Sequence, residues 1–169
     1  MGLKPGGEVD VRTIAILTFC FLAMTSPCLA KDTPVSLAQS RIDSLATALR
    51  TNKIGRIEIL RIPGNVETTM RITPDALGRG FHYKFVIRDL QSSSYHADLL
   101  AAMTSTTVQA AKDKGDLRWG IIFFNTKDVR VGAIYFDTFE DRGAVNEIPV
   151  SFKGDLSKWL NANFSSVMK

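Results

Sequence analysis

The stretch "LRWGIIFFNTKDVRVGAIYFD", residues 117–137, decides how the rest of the chain is read. Two runs rich in β-branched and aromatic residues flank the polar segment Asn125–Asp128, which is the pattern of a β-hairpin. Along the first run Trp119, Ile121 and Phe123 point one way, and Ile122 and Phe124 the other. The second run adds Ile134 and Phe136 to one row and Tyr135 to its opposite. A strand with one wet face carries a single apolar row, and this hairpin carries two. Leaving the second row in water would expose on the order of several hundred Å2 of apolar area, at about 25 cal/mol per Å2. A helix, a second layer or a partner therefore has to cover it.

Other segments group around the hairpin. "RGFHYKFVIRD", residues 79–89, alternates strictly, with Phe81, Tyr83, Phe85 and Ile87 on one side and His82, Lys84, Val86 and Arg88 on the other. This is the pattern of a half-buried strand. "RIEILRI" (56–62) sets Ile57 and Ile59 against Leu60 and Ile62, and the turn Pro63-Gly64-Asn65 follows. "VETTMRI" (66–72) alternates again and reads as a strand with Val66, Thr68, Met70 and Ile72 facing in, while "GAVNEIPVSF" (143–152) reads as one further strand.

Helical spacing occurs in "PVSLAQSRIDSLATALRTNKIG", where Ala38, Ile42, Leu45 and Leu49 recur after an expected Ser36 cap. Thr73-Pro74-Asp75 has the hydroxyl, proline and acid of a helix start, cut short by Gly78 and Gly80. "SSSYHADLLAAMTS" reads as a serine-capped helix burying Leu99, Leu100 and Met103. "GDLSKWLNANF" carries the stripe Leu156, Trp159, Leu160 and Phe164. Short links between strands imply antiparallel neighbours. The expected class is α+β, an antiparallel sheet of about five or six strands with helices packed on it.

The first thirty residues are read separately. Lys4 and Arg12 precede the apolar run Thr13–Met24, and "TSPCLA" ends with small residues at Cys28 and Ala30. That order is a secretory signal peptide cleaved after Ala30, with a retained anchor as the rival reading. The domain organisation is thus 1–30 signal peptide and 31–169 a single α+β domain, periplasmic or secreted. Both cysteines, Cys20 and Cys28, lie in the leader, so residues 31–169 contain none. Disulfides, thiol catalysis and cysteine-metal sites are excluded there. Lys4 and Arg12 cancel Glu8 and Asp10, so the remainder carries the same net charge of +4 as the whole chain. Its basic residues are dispersed, without the cluster used on nucleic acid. No nucleic-acid partner is expected, and no membrane partner after cleavage.

Catalytic constellations are thin. His82, Lys84 and His96 are the residue types of a phosphodiester-cleaving site, one imidazole as base, one as acid, and an ammonium for the developing charge. Lys84 and Arg88, with Glu58, Glu67, Arg61 and Arg71 on neighbouring strands, better suit a mixed-charge wet face in which His82 merely sits. His96 and Asp98, two apart on a helix, do not share a face for a metal. No HExxH, acidic calcium loop, GxSxG or phosphate loop occurs. No cofactor, metal or catalytic residue is expected.

The segments "IEILRIPGNVETTMRITP", "DLRWGIIFF" and "VGAIYFD" resemble small exported bacterial proteins. The resemblance implies one domain and a bacterial source, and carries no functional residues.

The sharpest binding signal is Phe139 in the polar turn "DTFEDRG", an aromatic where no core should be needed. Phe139, Glu140, Asp141 and Arg142 are the expected binding residues. The expected function is a small exported module that binds a protein partner or forms a homodimer. A specific form is an inhibitor or immunity protein of an envelope-acting enzyme. The alternatives are a hydrolase using His82 and His96, and a periplasmic small-molecule carrier.

Overall fold

A computed structural model describes Gly2 and residues 33–168. The expected signal segment therefore lies outside the described residues but for Gly2. Residues 33–168 belong to one compact unit, Asp32–Lys169. In chain order its elements are α1 (Pro34–Arg50), β1 (Ile54–Arg61), α2 (Pro74–Gly80), β2 (Tyr83–Arg88) and a 3-10 turn (Leu90–Ser92). There follow α3 (Tyr95–Ser105), β3 (Thr107–Ala110), β4 (Leu117–Asn125), β5 (Arg130–Asp137), β6 (Arg142–Val145), β7 (Ile148–Lys153) and α4 (Leu156–Phe164). The seven strands form one sheet in the order β2-β1-β4-β5-β6-β7-β3, every neighbour antiparallel. The α+β class stands, with a slightly larger strand count than expected.

Two differences account for the count. "GAVNEIPVSF" is a hairpin rather than one strand: β6 and β7 turn at Asn146, whose φ of 53° is a conformation asparagine tolerates. β3 pairs with β7 at the sheet edge and is four residues long, too short to show a period. In the other direction, "VETTMRI" is not a strand, and Met70 is 80 % exposed. The reason is local competition. Both edges of β1, the strand that leads into this segment, are taken by β2 and β4, and residues 66–72 join no ladder. Side chains satisfy part of their backbone instead. Arg118 donates to the carbonyls of Val66 (2.9 Å) and Pro63 (3.3 Å), and Asp116 accepts from the Ile72 amide (2.8 Å).

The hairpin's two apolar rows meet two different covers. Trp119, Ile121, Phe123, Ile134 and Phe136 face the main core, which α1, α3 and α4 close with Ile42, Leu49, Leu99, Met103, Leu160 and Phe164. Thr33, not Ser36, caps α1, because Pro34 occupies the first helical position and the cap must precede it. The Thr33 hydroxyl accepts from the Ser36 amide at 3.2 Å. Ile122 and Tyr135 face a second core with Leu60, Ile62, Ile72 and Leu77, against which Phe124 packs. Here the cover is the chain's own excursion from Ile62 to Phe81, with α2 at its centre. Thr73 caps α2 as its sequence predicts, accepting from the Ala76 amide. The covering layer that the two-row pattern required is thus intramolecular.

Two glycines permit close approaches. A Cβ on Gly132 would lie 3.1 Å from the Leu45 methyls, so α1 rests directly on β5. A Cβ on Gly143 would lie 1.9 Å from the Tyr135 carbonyl oxygen, inside the β5–β6 ladder.

Candidate functional site

The turn from β5 to β6 is tied down at Asp137, Glu140, Asp141 and Arg142. Asp137 ends β5 almost fully buried, and its carboxylate accepts from the Phe139 amide at 3.1 Å. The Glu140 amide donates to the Asp137 carbonyl at 3.2 Å, with Glu140 in the left-handed region at φ 64°. Arg142 pairs with Asp137 at 3.3 Å, and more loosely with Asp141 at 3.9 Å. The Phe152 amide donates to the Asp141 carbonyl at 2.8 Å, which fastens the turn to β7.

Glu140 points inward from this turn. Its carboxylate accepts from the Asn161 amide of α4 and from the Trp119 indole of β4. Arg61 completes the group: its guanidinium lies 4.4 Å from the Trp119 ring centroid, and Nη1 donates to the Ser165 carbonyl at 3.2 Å. Burial pushes the Glu140 carboxyl above the ordinary value, opposed by the Asn161 and Trp119 hydrogen bonds and by Arg61. Burial likewise raises the Asp137 carboxyl, opposed by the Phe139 amide and Arg142. Desolvation lowers Arg61, and Glu140 opposes it. Raised carboxyls are the material of acid–base catalysis, but each of these is spent on a brace.

Of the four expected binding residues, Phe139 stands out at 77 % exposure and Asp141 is exposed beside it. Arg142 is exposed and ion-paired, and Glu140 is half-buried.

The histidines are held apart. The His82 amide donates to the Arg61 carbonyl at the end of β1. His96 on α3 is 3.2 Å from the Leu49 carbonyl, where α1 leads into the start of β1. Their anchors flank a strand of eight residues, roughly 23 Å long at 3.3 Å per residue. His82 is exposed, and neighbouring Lys84 pairs with Glu58 at 2.7 Å. The wet-face reading of "RGFHYKFVIRD" describes these groups, with two corrections: Arg61 turns to the helix side, over Trp119, and Glu67 and Arg71 lie on no neighbouring strand, since residues 66–72 form none.

At the opposite end of the hairpin, around residues 126–129, two clefts open. One, of about 750 Å3, lies between the start of β1, the end of β2 and the 3-10 turn. It holds Arg56 and Arg88, directly opposite in register, with Asp89 and Asp128. Arg56 is already engaged by Asp128 at 2.7 Å, by Glu58, and by the Phe124 ring at 3.7 Å. The second cleft, of about 470 Å3, lies between α1 and β5. Sequence reasoning missed both, since their linings come from segments far apart in the chain. The one local signal is the helical face Arg41, Ser44, Leu45 and Ala48, spaced three and four apart.

Comparison with protein-family models, curated proteins and solved structures finds no match. Among the described residues no helix is long and apolar enough to cross a membrane.

Proposed function

We propose that the chain is an exported binding module that engages a protein partner through the β5–β6 turn, with Phe139 as the anchor. One observation carries this reading: Phe139 is 77 % exposed on a turn in which Asp137, Glu140, Asp141 and Arg142 are tied down. An aromatic held out by Asp137, Glu140 and Arg142 loses little freedom on binding, which is how small anchors gain affinity. The hairpin's second apolar row lends no support, since residues 62–81 cover it. Asp141 beside the ring favours a partner with a cationic rim. An inhibitor or immunity protein of an envelope enzyme fits this description.

The test uses full-length protein with a C-terminal tag, exposed to the envelope fraction of its source. Glu140 is unsuited to substitution, because it braces the turn from inside; Phe139→Ala and Asp141→Lys are the clean variants. Both should melt as wild type does. Phe139→Ala should weaken a stoichiometric partner on the order of 30-fold or more. Equal retention by both variants would dismiss the turn.

A further inference from the structure

Beyond the partner-binding turn, we propose that the cleft between α1 and β5 binds a small amphipathic carboxylate, an aliphatic acid. Its tail would lie on Leu45, Ala48, Ile54 and Val131, and its carboxylate would meet Arg41, Lys53 and Lys127.

The volume of about 470 Å3 is within the range of small-ligand sites. Its floor is built by the fold: Gly132 lets Leu45 approach β5, and Ile54 is fully buried beneath. Val131 is apolar yet 40 % exposed, and it faces this cleft.

Charge selects the ligand. The lining holds three cations and no carboxylate. Among the described residues none of the three cations is ion-paired. The nearest acids in sequence are engaged elsewhere: Asp43 with Gln39 (2.9 Å), Asp128 with Arg56, and Glu147 with Lys114. The adjoining cleft, by contrast, balances two arginines with two aspartates. Asn146 accepts from the Ala133 amide through Oδ1, which leaves its amide hydrogens to donate into the cleft. An apolar floor under an uncompensated cationic rim matches a molecule with one apolar end and one negative end.

The probe is decanoate, titrated calorimetrically into the full chain, with decanol as the uncharged equivalent. Decanoate should bind saturably at one site, and decanol at least about tenfold more weakly, as for loss of a charge-assisted contact. Lys53→Gln with Lys127→Gln should weaken decanoate by a similar factor without changing the melting temperature. Val131→Asp should abolish binding, while Phe139→Ala should leave it intact, so that the two sites fail or hold separately. Equal binding of decanol, indifference to the lysine pair, or no saturable binding would overturn the proposal. So would binding to phosphatidylglycerol vesicles while decanoate is ignored, which would make the rim a membrane-facing surface.

Discussion

Arg118→Ala tests the cover of the second core at its fastening. The Arg118 side chain is 9 % exposed and makes five hydrogen bonds to four residues, three of them in the covering loop. Its Nε and Nη2 donate to Asp116 at 2.8 and 2.5 Å, Nη1 to the Val66 and Pro63 carbonyls, and Nη2 to the Thr68 hydroxyl at 3.4 Å. Asp116 is 30 % exposed, so its ion pair falls below the roughly 3–5 kcal/mol of a fully buried pair. The Val66 carbonyl is left without this donor and adds about 1 kcal/mol where water reaches it, whereas the Pro63 carbonyl keeps the Val66 amide. A loss of about 3 kcal/mol follows, a large share of the 5–15 kcal/mol by which domains are typically stable. Urea unfolding measures the loss, and hydrogen exchange locates it. Protection should fall first in residues 62–73, before the sheet itself opens. Arg118→Lys keeps the charge but loses the fork, and should lie between alanine and wild type. An alanine variant within about 0.5 kcal/mol of wild type, or unchanged exchange in that segment, would refute the idea that this side chain holds the cover in place.

Two further outcomes follow from single contacts. Gly143→Ala places a Cβ 1.9 Å from the Tyr135 carbonyl, so β5 and β6 must part, and a loss above about 3 kcal/mol or failure to fold is expected; an unchanged melting curve would mean the strands are not in this register. Glu140→Gln isolates a pH effect while keeping an acceptor for Asn161 and Trp119. Burial raises the native Glu140 carboxyl, so between the ordinary value of about 4.3 and that raised value the native state holds more protons than the unfolded one. Wild type should therefore gain stability relative to the variant as pH falls through that window, and the difference should be flat above it. Urea titrations from pH 4 to 7 that show the opposite slope would contradict the burial argument.

Much of this architecture was legible in the chain. The rows of Trp119–Phe124 and Ile134–Phe136, the stripe of α4 and the Thr73-Pro74 helix start are local periodicities, and each formed as its spacing requires. "VETTMRI" misled because alternation states which faces a strand would have, but not whether the segment meets any strand to pair with. The split at Asn146 was spelled in the sequence by an asparagine between two apolar runs. Phe139 was legible as a candidate because an aromatic in a polar turn lacks a local reason. Glu140 was not legible as a brace, because its partners Asn161, Trp119 and Arg61 come from three separate elements.

By itself the sequence determined the α+β class, the hairpin at the centre and the need for a second covering layer, since burial of two apolar rows is a requirement any fold of this chain must meet. Only the tertiary structure decided what supplies that cover. Residues 62–81 do so, with Arg118 and Asp116 bonding their backbone at Pro63, Val66 and Ile72. It also decided which charges find partners and which do not, since Arg41, Lys53 and Lys127 become neighbours only when α1 lies across β5. Pairing across the chain depends on distances that no local spacing encodes.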